Sequence, residues 1–317
     1  MPGKIKSDAE RRIFDVARSR LESPSVYSNV LNVANAVLFC EMDFPYAANI
    51  LERLMKMKLK LLALGIVGVV ASVLAVPAVA DDGLANIMAQ NSIRIAVPTD
   101  YPPFGFVGPD MQPKGMDIDM ARLIAKKLGV KLELIPVTAP NRIAYLQTKK
   151  ADLTISSLGK TPEREKVIDF SIAYSPFFDA IFGSKKFQVN KYSDLAGKVI
   201  AVTRGSMQDD ELQRLAPGAI VKRFEDNNGT IAAFLSGQTE MFASGTSVAA
   251  AINQKNPEVD LELKIVLANA PCYVGVNKGE PQLLAKVNQI IREAKNDGYL
   301  DSISKQWLGA PAGNLPE

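Results

Sequence analysis

Two stretches of this chain carry the same order of elements, and that order leaves few folds open. Over residues 93–97, Ile93, Ile95 and Val97 alternate with Arg94 and Ala96, the two-residue period of a strand. Residues 117–128 follow as a helix with Met120, Ala121, Ile124 and Leu128 on one face and Gly129 placed to end it. Strands at 130–134 and 152–156 flank a short helix at 142–148. Strand, helix, strand, helix, strand predicts a parallel α/β unit. The order returns further on: strand 199–203, turn 204–206, helix 209–215, strand 220–224, helix 229–236, strand 240–244. Residues 181–192 link the units, and the second unit leads to a helix over 281–297 with Leu284, Val287, Ile291 and Ala294 at three- and four-residue spacing. Two connections predict two α/β lobes joined by two hinge strands, with a ligand cleft at the carboxyl ends of the strands.

Ahead of both units, residues 57–80 read MKLKLLALGIVGVVASVLAVPAVA. Lys58 and Lys60 make a positive start, 61–76 is uncharged and apolar, Pro77 breaks the helix, and Ala78-Val79-Ala80 offers a small-x-small cleavage site. This predicts a Sec-type signal peptide and a periplasmic protein. The competing reading is a membrane anchor, since ~20 apolar residues span a bilayer; both export the body, because Lys56, Lys58 and Lys60 stay inside. Residues 1–56 read as an extension outside the mature protein, or as a cytoplasmic tail if 57–80 is retained. The expected organisation is therefore 1–56 extension, 57–80 signal peptide, 81–185 and 271–317 the first lobe, and 186–270 the second.

Composition narrows the chemistry. The chain has no His, which removes Ser-His-Asp hydrolysis, imidazole bases and His-ligated zinc or haem. Two cysteines, Cys40 and Cys272, are too few for a disulfide framework or a four-thiolate site; Cys272 reads as a packing residue. No cofactor is expected. The first 80 residues hold ten basic against seven acidic side chains and the remainder balances, so no basic stripe is available to displace phosphate counterions and no nucleic-acid partner is expected.

Three turns after predicted strands carry candidate ligand groups. In Ser156-Ser157-Leu158-Gly159-Lys160-Thr161-Pro162-Glu163-Arg164, Ser157 and the Gly159 N–H can donate to an anion, Thr161 can donate or cap, and Arg164 offers a planar fork for a carboxylate. The same letters also fit Thr161 capping a helix whose Glu163 and Arg164 are solvated. Tyr101-Pro102-Pro103-Phe104 holds two aromatics at the cleft mouth, with Phe104 better suited to the lobe core. Arg204-Gly205-Ser206-Met207 opens a helix whose first N–H groups attract an anion. Arg142, after Pro140-Asn141, either meets a ligand side-chain carboxylate, favouring acidic or amide amino acids, or sits in solvent.

Together with Gly115-Met116-Asp117-Ile118-Asp119, Val167-Ile168-Asp169-Phe170-Ser171 and Lys305-Gln306-Trp307-Leu308-Gly309, these turns make residues 91–308 resemble the bacterial extracellular solute-binding proteins, family 3, the polar amino-acid receptors of ABC transporters. The resemblance implies a type II periplasmic-binding-protein fold, a monomer that closes on an amino acid and delivers it to a membrane permease. It implies that Arg164, Thr161, Ser157 and Gly159, in the run containing Leu158, take the α-carboxylate. The Gly205-Ser206-Met207 turn would complete the grip from the second lobe, and Tyr101 would stack on the ligand. One departure stands out. The family usually places an Asp for the α-ammonium where this chain has Gly245. Burying an ammonium without an anionic partner is costly, so another group compensates or the ligand is a carboxylate without a free α-ammonium. Asp226, Asn227 and Asn228 are the nearest candidates by sequence. The alternative function is a dehydratase-like periplasmic enzyme using Glu163, Glu225 or Asp226 as acid and base. N-terminal sequencing of the expressed protein should return Asp81 as the first residue; an intact 57–80 would instead establish the anchor and the tail.

Overall fold

The computed structural model describes residues 83–317; the 1–56 extension, the 57–80 signal peptide and Cys40 lie outside the described residues. After α1 (Gly83–Gln90), burial along β1 (Ser92–Pro98) alternates at first and is continuous from Ile95 to Pro98, the pattern of a strand covered on both faces. A small antiparallel sheet follows, made of β2 (Asp100–Tyr101), β3 (Gly105–Val107) and β4 (Pro113–Lys114). In α2 (Met116–Leu128), Asp117 and Asp119 sit in the first turn and Lys126 and Lys127 in the last, both favoured by the helix dipole. Gly129, left-handed at φ 70°, ends it by donating to the carbonyls of Ala125 and Lys126. β5 (Lys131–Val137), α3 (Arg142–Gln147), β6 (Leu153–Gly159), α4 (Pro162–Glu165) and β7 (Ile168–Ser175) complete this part of the chain.

The second unit comprises β8 (Phe178–Ser184), β9 (Val199–Thr203), α5 (Met207–Leu215), β10 (Ile220–Phe224), α6 (Asn227–Leu235), β11 (Met241–Gly245), α7 (Thr246–Lys255) and β12 (Leu261–Asn269). The chain then returns through β13 (Cys272–Asn277), α8 (Pro281–Asn296) and α9 (Tyr299–Leu308). α5 and α6 begin two residues before the sequence expectation because Ser206 and Asp226 cap them, accepting from the N–H groups of Asp209 and Gly229 at 3.2 and 2.7 Å. In α8 the buried stripe is Leu283, Val287, Ile290, Ile291 and Ala294, and Leu284 is only half-buried at its edge.

The two sheets have matching orders, β5-β1-β6-β13-β7 and β10-β9-β11-β8-β12. Each holds three parallel strands and then, antiparallel, the strand that has just crossed from the other lobe. This corrects one expected boundary: residues 178–184 belong to the second lobe, since β8 pairs with β11 and β12. An apolar run next to a crossing does not declare which sheet it will join. The crossings themselves touch, with the Ala270 N–H donating to the Phe177 carbonyl at 2.8 Å.

Gly115 allows the small sheet to reach α2. Its φ is +127°, and a Cβ there would lie 2.2 Å from the Phe104 carbonyl oxygen, which accepts from the Asp117 N–H at 2.9 Å. Gly115→Ala should lower stability by about 3 kcal/mol, read as a lower urea midpoint at unchanged slope.

Candidate functional site

Loops leaving the carboxyl ends of the parallel strands meet between the lobes around a small cleft that opens to solvent. The first lobe contributes Asp100 and Tyr101 after β1, Arg142 at the start of α3, and Ser156, Ser157 and Gly159 at the end of β6. The second contributes Ser206, Met207 and Gln208 at the start of α5 and Asn227 at the start of α6. Phe177, Asp179 and Ala270 close the space where the crossings run.

Direct bonds already join the lobes. The Tyr101 hydroxyl lies 3.3 Å from Ser244 Oγ and accepts from the Gly245 N–H at 3.1 Å. The Asn227 N–H donates to Asp100 Oδ2 at 2.7 Å, and Arg164 Nη2 donates to the Gly205 carbonyl at 3.2 Å. Gly159 faces Met207 closely enough that a Cβ on it would come 1.8 Å from the Met207 sulfur.

Buried charges dominate the site. Asp117 is fully buried and accepts from the Tyr174 hydroxyl at 2.6 Å and from the Ser157 N–H and hydroxyl at 2.8 and 3.1 Å. Burial outweighs these three donors and pushes its carboxyl up to about 6. The same bonds hold Ser157 in the left-handed region at φ 44°. Arg142 is 6% exposed; its Nη1 donates to the Ser156 carbonyl at 2.6 Å and its Nε has no partner among the described residues. Asp179 is 1% exposed, its Oδ1 accepts from Gln208 Nε2, and its Oδ2 has no partner among the described residues. Burial pushes its carboxyl up to about 7. Asp100 keeps Oδ1 unpartnered, and burial raises its pKa against the opposing bonds from Asn227. A cleft whose wall residues carry an unsatisfied guanidinium nitrogen and unsatisfied carboxylate oxygens fits a ligand that carries both signs.

Several sequence candidates stand elsewhere. Arg164 is buried rather than solvated, and off the cavity wall: its Nη1 donates to the Gly159 carbonyl at 2.9 Å, and Asp210 lies 3.7 Å from Nη2. Burial lowers its pKa to about 10. The arginine that lines the cavity is Arg142, where contact was one of two readings. Thr161 caps α4, accepting from the Arg164 N–H at 3.2 Å. Ser157 reaches the wall, but its proton is committed to Asp117, so it offers a ligand lone pairs and cannot donate to an anion. Leu158 points to the other side of the strand, in a cluster with Leu146 and Ile168. Phe104 is fully buried against Tyr101 and Phe177, ring centroids 6.0 and 5.1 Å away. Gly205 turns its carbonyl to Arg164 and packs near Pro140 of the first lobe. Asp226 does not line the space, and its Oδ1 caps α6; Asn228 is exposed and Asn227 lines the space instead. At Gly245 a Cβ would lie 2.4 Å from Phe177 Cζ, so a ring fills the place of any side chain. The residues that sequence reasoning missed include Asp100, Gln208 and Asp179. Asp179 had a signal: one carboxylate inside the apolar run Phe177-Phe178-Asp179-Ala180-Ile181-Phe182.

Residues 93–310 match the family described as bacterial extracellular solute-binding proteins, family 3. The chain is 28% identical over 240 residues to the L-cystine-binding protein TcyJ of Escherichia coli (strain K12), covering 75% of this chain and 90% of that one. It is 30% identical over 233 residues to the ABC transporter glutamine-binding protein GlnH of Bacillus subtilis (strain 168), covering 72% and 85%. Among solved structures it superposes on the ancestral amino acid-binding protein AncCDT-1, described as a precursor of cyclohexadienyl dehydratase. That match has a TM-score of 0.65, 31% identity, and coverage of 72% of this chain and 99% of that one.

The raised Asp179 pKa makes the ligand-free protein pH-sensitive. Between the ordinary carboxyl pKa of about 4 and about 7 the folded state holds a proton that the unfolded chain has released, so stability falls as pH rises through that window and levels off above it. Melting curves from pH 4 to 8 should show the wild type losing several degrees relative to Asp179→Asn across this range. Parallel curves would exclude a buried, titrating Asp179.

Proposed function

The chain belongs to the bacterial extracellular solute-binding proteins, family 3, and from that premise we propose that it captures a polar amino acid between its lobes and presents it to the permease of an ABC transporter. The supporting observation is the charge pattern of the cavity wall: Arg142, whose Nε is unpartnered among the described residues, together with Asp179 and Asp100, each with one unpartnered carboxylate oxygen. A zwitterion supplies a partner to each, whereas a neutral solute would leave buried charges unmet. In this reading Arg142 takes the carboxylate, the start of α5 at Met207 adds the positive end of a helix, and Tyr101 covers the ligand while latching the lobes through Ser244 and Gly245.

The proposal covers location and state as well. The segment 57–80 exports the protein to the periplasm, where it acts as a monomer without cofactor or nucleic acid. Among the described residues no helix is long and apolar enough to cross a membrane. We read the protein as a receptor and not a catalyst. The relatives are named as binding proteins, and the carboxylates expected to serve a dehydratase do not line the cavity: Glu163 is exposed, Glu225 pairs with Arg204 at 2.8 Å, and Asp226 caps a helix.

A thermal-shift screen of the purified protein against amino acids, polyamines and small carboxylates tests the reading. One class of amino acid should raise the melting temperature, since ligand at a thousandfold excess over Kd adds about 4 kcal/mol to folding stability. Arg142→Ala should weaken that ligand by at least tenfold. No shift with any amino acid would overturn the assignment.

A further inference from the structure

Of the two carboxylates on the cavity wall, Asp179 has less to balance its charge. Asp100 is partly exposed and accepts a backbone N–H at the start of α6, where the helix dipole favours an anion. Asp179 is 1% exposed and its Oδ1 accepts only from the neutral Gln208 amide. Arg142 and Arg164 attract it and Glu211 repels it, yet neither arginine pairs with it; Arg142 donates to the Ser156 carbonyl and Arg164 stands nearer Asp210. A carboxylate this deep, with one oxygen unmet, calls for a cation that arrives from the cavity.

The backbone shows why the acid stands on β8. Asp179 is the cross-strand partner of Gly245, the last residue of β11. The room beside Gly245 is taken by the Phe177 ring, which is held between Tyr101 and Phe104 at centroid distances of 6.3 and 5.1 Å. No side chain at 245 can reach the ligand past that ring. A carboxylate one strand over enters the same end of the sheet about 4.8 Å to the side.

We propose that Asp179, oriented by Gln208, receives the α-ammonium of the bound amino acid, in a site where residue 245 contributes only backbone. This rests on the amino-acid reading above. It sets specificity, because removing the ammonium from the ligand leaves Asp179 Oδ2 buried and unmet.

The test crosses ligands with variants. The probes are the twenty protein amino acids and L-cystine, each beside the carboxylate lacking its α-amino group, such as 4-carbamoylbutanoate for glutamine, 5-guanidinopentanoate for arginine and 3,3′-dithiodipropionate for cystine. Calorimetry on the wild type should show an amino acid bound about 100-fold or more tightly than its analogue. Asp179→Asn keeps shape and, with loss of a buried charge, should fold at least as well; it should lose that 100-fold for the amino acid while binding the analogue unchanged or more tightly. Asp100→Asn should preserve the preference. If Asp179→Asn weakens both ligands equally or neither, or if Asp100→Asn is the variant that erases the preference, Asp179 does not receive the ammonium and the amino-acid reading stands. A wild type that binds its analogue as well as the amino acid also overturns the role. Binding of no amino acid at all removes the receptor reading and this role with it.

Discussion

The cleft depends on one constraint: the chain passes between the lobes twice, and the two passages are bonded to each other where Ala270 donates to Phe177. Because each passage continues directly into a sheet as an inserted antiparallel strand, β8 in one and β13 in the other, the lobes share a common edge of backbone. The carboxyl ends of both parallel sets then face one another with only a hinge between them. The aromatic group of Tyr101, Phe104 and Phe177 packs together beside that hinge.

Within that frame, identical residue types do different work because their partners differ. Asp117 and Asp179 are both removed from water, and burial raises both. Three donors surround Asp117, so its charge is spent on fixing the end of β6 and the left-handed Ser157. Asp179 has one amide and an oxygen to spare. The arginines divide likewise. Arg164 gives its fork to carbonyls of both lobes and acts as a clasp, whereas Arg142, on the cavity wall, anchors through one nitrogen and leaves another unpartnered among the described residues.

Much of the architecture was legible, since the alternation at Ile93, Ile95 and Val97 and the stripe of α2 are local periodicities that packing reinforces. The strands Val199–Thr203 and Ile220–Phe224 fell where their patterns put them. What escaped was set by tertiary placement. The membership of β8 depends on strands sixty and more residues later, and whether Arg142 or Arg164 meets the cavity depends on which carbonyls each finds first. The loops at Tyr101, Ser157 and Ser206 do border the cleft, but side-chain direction within the runs was not legible: Leu158 and Asp226 sit in them and turn away.

The sheet orders also bear on the sequence of events during synthesis. The second lobe is drawn from one continuous stretch, so its sheet can close as soon as β12 leaves the ribosome. The first lobe cannot. Its strand β7 touches the rest of its sheet only through β13, which is made about a hundred residues later. Until then the lobe begun first is a sheet with a slot in it, and the lobe begun second is the first to be finished.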